Sequence, residues 1–541
     1  MAHDGFAGAA RSRRGKGVVR RAAPGHTGLG LAVVGAVAVL LGCPPLSLAA
    51  PAPSGPAGTA GPLPADMLHR GPLLAVTPST FWSLDLQTNN SSGVWTDPAV
   101  RSFLNQTPFT WFHYGQDTEQ CNITANVMYA NNGSVLGPCH YDLSAFASWC
   151  LGQRPRCHSV VFLPGEANNS SETAYTAAWA VRTLGFQPDY FNLGNEPSLW
   201  KHYGIPWTKW NSTDHSTPTS LDYAFDLHAA ITAVRRVDAA AKFIGIESDC
   251  ACGRPWFQDL IRVDGRLISA VAYHSYPSFG RVNSSLAQYL APLFSPGNLT
   301  TTFPLVRSYI AHQCARCATL PIFEQEYNSG PGWTASSWNA TYPNALFLGA
   351  SVVQALRANV TQFTMFNLQS NKSTYGYSMM NTTDVIGPTG ALFSGVLRHL
   401  AQGSVYGSGF NTTTGGVLSV LTQNARRATL FVVNTNLTSS VHLSVGKVFR
   451  VGANDFLGQW APGMAGPTWG PARASSNYTI APEGMLLLAA PSGSVYPGPP
   501  PATSSARPLV PGPGDTGSTF EIRREWAGPE AVRAVVAQIF P

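Results

Sequence analysis

The sequence predicts an α/β protein: a (β/α)8 TIM barrel followed by a C-terminal β-sandwich domain. Three observations carry this. Across residues 71–403, short runs of β-branched and aromatic residues alternate with helix-period segments, the order expected of βα units and a parallel sheet. Eight such units follow one another, which favours a closed barrel over an open sheet. Across residues 404–490 the pattern changes to short runs of period two with turn residues between them, as in a sandwich.

Taken in order, residues 1–50 are basic, then apolar from Leu29 to Leu41, then small through Ala49 and Ala50. This is the form of a signal peptide, or of a signal anchor if it stays uncleaved. Leu40-Leu41-Gly42-Cys43 also resembles a bacterial lipoprotein box, a reading opposed by the glycosylation triplets below. Residues 51–70 form a Pro/Ala/Gly-rich spacer. Barrel strand one is expected at Thr80–Leu86, ahead of a helical stretch at Pro98–Leu104. Strand two is expected at Phe109–Tyr114, before a Cys-bearing, Asn-rich insertion and a helix at Ala145–Leu151. Strand three is Ser159–Leu163, and its helix spans Ser171–Leu184. Strand four runs through Asp189-Tyr190-Phe191-Asn192-Leu193 into Gly194-Asn195-Glu196-Pro197. Ala224, Leu227, Ile231 and Val234 recur at helical spacing and predict a helix over Ser220–Ala240. Strand five is Phe243–Ile246, strand six Leu267–Tyr273, and strand seven holds Pro321-Ile322-Phe323-Glu324-Gln325-Glu326. Strand eight is Gln362–Asn367, between helices near Ala345–Leu356 and Ala391–Leu400. Val417–Leu421, Thr429–Val433 and Val441–Val445 are sandwich strands, and residues 491–541 read as a Pro/Gly-rich disordered tail with a short terminal helix.

Bulk properties narrow the function classes. Of the net charge of +6, residues 1–50 carry +5, so the remainder is close to neutral. That argues against nucleic acid and against strongly sulfated polymers as partners. Charged residues make up only 11% of the chain, and Asn-x-Ser/Thr triplets headed by Asn105, Asn298, Asn381, Asn477 and others supply neutral polarity, as in a secreted glycoprotein. Without Cys43 the cysteines form an even set: Cys121, Cys139, Cys150, Cys157, Cys250, Cys252, Cys314 and Cys317. Disulfides are expected, with connectivity open. Cys250-x-Cys252 and Cys314-x-x-Cys317 beside His312 offer a metal alternative, but no four-ligand pattern stands out, and no metal or other cofactor is expected.

The chemistry is expected at two strand ends. Glu196 and Glu326 each follow an apolar strand, where packing explains an acid poorly and where barrel enzymes keep their reactive groups. Strand alternation puts Glu324 and Glu326 on one face, so periodicity leaves both open as the second carboxylate.

The stretch from Leu163 to Trp200, ending in Phe-Asn-Leu-Gly-Asn-Glu-Pro-Ser, resembles the heparanase and β-glucuronidase group, glycoside hydrolase family 79 of clan A. The resemblance covers roughly residues 70 to 490, starting from Ser83-Leu84-Asp85-Leu86. It implies a retaining β-glycosidase in which Glu196 is the acid/base and Glu326, followed by Tyr-Asn-Ser-Gly, is the nucleophile. It assigns Asn195 to the sugar 2-hydroxyl, His274 and Tyr276 to the catalytic carboxylates or the sugar, and Asp85 to the sugar. Phe112-His113-Tyr114-Gly115-Gln116-Asp117 departs from the family's Arg-x-Gly-Gly-like loop, leaving Asp117 as its candidate contact. Gly330, Gly332 and Tyr377, or Tyr375, stand where relatives meet a uronic-acid carboxylate, although Pro331 removes one amide donor. Leu73–Val76 is expected to join the sandwich. The implied partner is a glucuronide-bearing glycan, and the implied location is extracellular, with a membrane contact only through an uncleaved leader. Two alternatives stay open: a catalytically silent carbohydrate-binding protein on this fold, and a clan A glycosidase for a neutral sugar.

Overall fold

Eight parallel strands form the barrel: Trp82–Asp85, Trp111–Tyr114, His158–Leu163, Tyr190–Leu193, Ile244–Ser248, Ala270–Ser275, Ile322–Tyr327 and Gln362–Met365, called strands one to eight below. They pair in cyclic order, and the ring closes between strands four and five through a parallel bridge from Phe191 to Phe243, with Phe191 N–H donating to Lys242 O at 2.8 Å. The computed structural model describes residues 70–496 except 87–96, 116–120, 123–126, 130–134, 138–142, 164–169, 200–218, 252, 279–284, 296, 315, 331–337, 339–340, 370–377, 382, 409–415, 446–447, 450–455 and 471–476. The leader, most of the spacer, the tail, and the candidates Asp117, Gly332, Tyr375 and Tyr377 lie outside the described residues.

A parallel sheet covered by helices outside and plugged inside must be apolar on both faces. Inside, Trp111, Val160, Phe162, Ile244, Ala270, Ala272 and Phe323 pack into one cluster, with Tyr190 against it. Above this plug, toward the C-terminal ends of the strands, the inward side chains turn polar: His113, Asn192, Glu247, His274 and Gln325 are buried there. Outside, the helices present the faces their sequences predict. Helix Ser220–Val237 starts at a capping box in which Thr219 and Asp222 satisfy each other's backbone N–H groups, and it buries Tyr223, Ala224, Leu227, Ile231 and Val234. Asp97 caps helix Pro98–Leu104, which carries its proline in the first turn, where no N–H partner is missed.

The antiparallel domain is one seven-stranded sheet with a two-stranded sheet packed on it. Arg70–Val76 forms its edge, antiparallel to Ser404–Ser408, followed in space by Val417–Gln423, Arg427–Asn434, Met485–Pro491, Phe456–Trp460 and Thr468–Gly470. Leu430, Val432, Leu486 and Leu488 face Leu443, Tyr478 and Ile480 of the small sheet, while the alternate residues Phe431, Val433, Met485 and Leu487 join the core shared with the barrel. Helix Tyr342–Arg357 runs through that shared layer and is buried almost all round. Gly349 is what lets it come so close, because a β-carbon there would stand 2.9 Å from Met485 Sδ. Tyr342 Oη pins the helix start by donating to Trp460 O at 3.2 Å and to Glu483 O.

The insertion after strand two contains a three-stranded sheet, Cys121–Asn122, Val127–Tyr129 and Val135–Gly137. Cys150–Cys157 and Cys314–Cys317 are disulfides, so neither Cys314 nor Cys317 is a metal ligand. Asn381 heads a glycosylation triplet yet is only 7% exposed, and its Oδ1 accepts from Thr383 N and Val385 N. That asparagine builds the turn it starts. Among the described residues no helix is long and apolar enough to cross a membrane.

Candidate active site

Strand four ends in a tight left-handed turn. Gly194 has φ 70° and Glu196 has φ 44°, a conformation sparsely populated by side-chain-bearing residues. Surrounding bonds hold it: Tyr223 Oη donates to Leu193 O at 3.0 Å, and Leu199 N–H donates to Glu196 O at 2.7 Å. Ser198 Oγ donates to Asp249 Oδ1 at 2.8 Å, tying this loop to the one after strand five. Strain kept at one acid by several bonds around it is typical of functional sites.

Two β-bulges aim the other acids. Tyr273 of strand six pairs with Glu324 of strand seven, but the next residue, His274, pairs with Glu326, so Gln325 is an extra residue in the ladder. The pairing with strand eight slips at the same place. A bulge breaks the two-residue alternation. Phe323 lies in the barrel plug, and beyond the bulge Glu326 points inward, whereas Glu324 turns outward to Tyr273, whose Oη lies 3.5 Å from Thr302 on the covering helix. The expectation that both glutamates share a face is therefore corrected. Burial raises the Glu324 carboxyl well above the usual range, against the opposing effects of Tyr273 and the His274 charge. Strand five has its own bulge: Val271 pairs with Gly245 but Ala272 with Glu247, leaving Ile246 extra, at φ 24°. Glu247 is thereby turned into the barrel.

His274 collects these acids. Its Nδ1 lies 2.8 Å from Glu196 Oε1 and 3.4 Å from Glu326 Oε1, and its Nε2 lies 3.0 Å from Glu247 Oε1. Tyr276, two residues on, donates its hydroxyl to Glu326 Oε2 and stands edge-on to Phe366. A carboxylate oxygen of Glu196, one of Glu326 and a ring nitrogen of His274 all fall within 4.8 Å of one another. Burial alone would lower the imidazole, but the charges of Glu326 and Glu247 and the bonds to Glu196 and Glu247 outweigh it and hold His274 well above its usual value. Burial pushes Glu326 up, the His274 charge opposes this, and Glu196, Asp85 and Glu247 add to the rise.

Of the expected residues, the structure brings together Glu196, Glu326, His274 and Tyr276, and it sets Asp85 fully buried at the end of strand one, close enough for its charge to act on Glu326. Asn195 is 9% exposed beside Glu196, and Gly330 follows strand seven. His113, in the loop that departs from the family pattern, is turned inside, its Nε2 at 2.9 Å from Gln362 Oε1, and burial holds it neutral, down to about 3. Sequence reasoning missed Glu247, Asn192, Gln325 and Asp249. The signal for Glu247 was present, since Ile246-Glu247 is another apolar-to-acidic strand end, one residue past the expected boundary.

No protein-family model matches the chain, and no curated protein does. Solved structures do. A family 51 α-L-arabinofuranosidase from Bifidobacterium longum is 12% identical, with a TM-score of 0.59 over 78% of this chain and 97% of that chain. An α-L-arabinofuranosidase from Thermotoga maritima, in complex with arabinose, is 11% identical, with a TM-score of 0.59 over 77% and 98%. A family 44 xyloglucanase from Paenibacillus polymyxa, with xyloglucan, is 11% identical, with a TM-score of 0.54 over 77% and 97%. The fold is shared with these glycosidases. At such identities the likeness concerns the fold, and the chemistry rests on the residues just described.

Proposed function

We propose that the protein is a retaining glycoside hydrolase in which Glu326 is the nucleophile and Glu196 the acid/base. One observation carries this reading: an oxygen of Glu196, after strand four, and an oxygen of Glu326, on strand seven, lie within 4.8 Å of each other at the C-terminal mouth of the barrel. Retaining enzymes need their carboxyl groups about 5–5.5 Å apart, whereas inverting ones leave room for a water at about 6.5–9.5 Å. In the first step Glu326 forms a bond to the anomeric carbon while Glu196 gives its proton to the departing oxygen. In the second, Glu196 takes a proton from water, whose oxygen displaces Glu326 and restores the starting configuration. Tyr276 keeps Glu326 oriented, and Asn195 is assigned to the 2-hydroxyl.

The resemblance to family 79 supports a β-glucuronide as the substrate, within an extracellular glucuronide-bearing glycan. The disulfides and the basic-then-apolar leader support secretion. A second reading, a neutral sugar, is favoured by the charge around the pair: Asp85, Glu247 and Asp249 add three carboxyl groups to Glu196 and Glu326, and together they repel a substrate carboxylate. Aryl β-glucuronide, β-glucoside, β-xyloside and α-arabinofuranoside assayed side by side separate these readings. Turnover of the glucuronide alone is the expected result. Preference for an uncharged glycoside would replace the glucuronide assignment, and turnover of none would favour a carbohydrate-binding protein.

A further inference from the structure

We propose that Glu247 is a positioning residue for this chemistry: acting through His274, it keeps a proton on the imidazole nitrogen that faces Glu196 and Glu326. The inference rests on the glycosidase reading above but concerns a residue which that reading does not use. Glu247 and His274 are both inaccessible to solvent, and the ring lies between Glu247 and the catalytic pair, with Nε2 toward the first and Nδ1 toward the second. Its two oxygens have separate tasks. Oε1 lies 3.0 Å from His274 Nε2, and Oε2 accepts from Asn192 Nδ2 at 2.9 Å, which fixes the carboxyl plane. The bulge at Ile246 is what aims it inward, so the backbone departs from regular pairing to make this contact.

A neutral imidazole has one N–H and one lone pair, and His274 has carboxylates on both sides. Only the doubly protonated ring presents a proton to the carboxylate against each of its two nitrogens, Glu247 at 3.0 Å from Nε2 and Glu196 at 2.8 Å from Nδ1. Burying such a cation is costly unless an anion is bonded to it, and Glu247 is the one carboxyl among the described residues within reach of Nε2. The titratable groups near the ring on other elements are Glu196 after strand four, Glu326 and the outward Glu324 on strand seven, Asp249 after strand five and His113 on strand two. Four are acids, and His113 stays neutral, so none replaces Glu247 on its side of the ring. Burial raises Glu247 itself to about 7, and the His274 charge opposes this, as expected of two groups that share a proton.

The sign of the effect follows. An anion bonded to a histidine raises the pH at which the ring loses its proton, and removing the anion lowers it. For Glu247→Gln, the descending limb of the kcat/KM profile on the preferred aryl glycoside is expected to move down by ~1 pH unit or more, with activity near pH 5 changed only a few-fold. Glu247→Asp is expected to restore part of the limb. A uniform loss at every pH, or no change, overturns the proposal. Nitrogen-15 NMR of the wild-type histidines, with His274 assigned by difference from His274→Asn, gives a readout that needs no turnover and no folded Glu247 variant. Both ring nitrogens of His274 are expected to stay protonated above pH ~8, and a ring that titrates at the ordinary histidine value of about 6.5 overturns the proposal. Absence of glycoside turnover with an NMR result as expected would count against the glycosidase reading alone.

Discussion

Glu326→Ala is expected to lower kcat/KM by on the order of 10⁴-fold or more, the scale on which loss of a nucleophile abolishes a covalent route. Two features make the loss large. The carboxylate is already placed by Tyr276 and His274, so its orientation is lost with it. Glu324 cannot take over, because the Gln325 bulge turns it toward Tyr273 and the covering helix. Azide, small enough to enter the space left by the side chain, should recover turnover on an activated aryl glycoside and give a glycosyl azide of inverted configuration. Recovery with retained configuration would assign the nucleophile elsewhere.

Glu196→Ala is expected to behave differently, and the difference identifies its role. General acid catalysis contributes roughly 10²–10⁴-fold, and only where the leaving oxygen needs a proton. Glycosides of poor leaving groups should therefore lose activity on that scale. A dinitrophenyl glycoside needs no proton, so it should form the intermediate readily and then stall, since no base remains to activate water. A burst of one dinitrophenolate per enzyme should be seen, and azide should release it with retained configuration. Equal losses for good and poor leaving groups would show that Glu196 is not the acid/base.

Much of the framework was legible in the sequence because local signals and tertiary demands agree there. Asp97 and Pro98 mark a helix start by chemistry that acts within one turn, and helix Pro98–Leu104 is observed where it was expected. Strand six was expected from Leu267 but begins at Ala270, because residues 265–267 complete the turn after helix Arg254–Asp264. The acids at strand ends were visible, since an apolar run that stops on a glutamate lacks a packing reason. Their direction was not. Strict alternation holds only while the ladder is regular, and the extra residues Ile246 and Gln325 reverse it just where Glu247, Glu324 and Glu326 have to be told apart. Bulges have no dependable local signature, because they are set by pairing with neighbouring strands far away in sequence. Glu247 escaped notice for that reason, and Asn192 looked like an ordinary strand residue.

The central claim is that a covalent bond forms between a sugar and Glu326. Incubation with a 2-deoxy-2-fluoro glycosyl fluoride of the preferred sugar slows the second step, because the fluorine destabilises the positively charged transition state. Intact mass spectrometry should then show one added fluoroglycosyl group per chain, and peptide mapping should locate it on Glu326. A label on Glu324 or Glu196, or an unlabelled enzyme that turns the normal substrate over with inversion, would contradict the account.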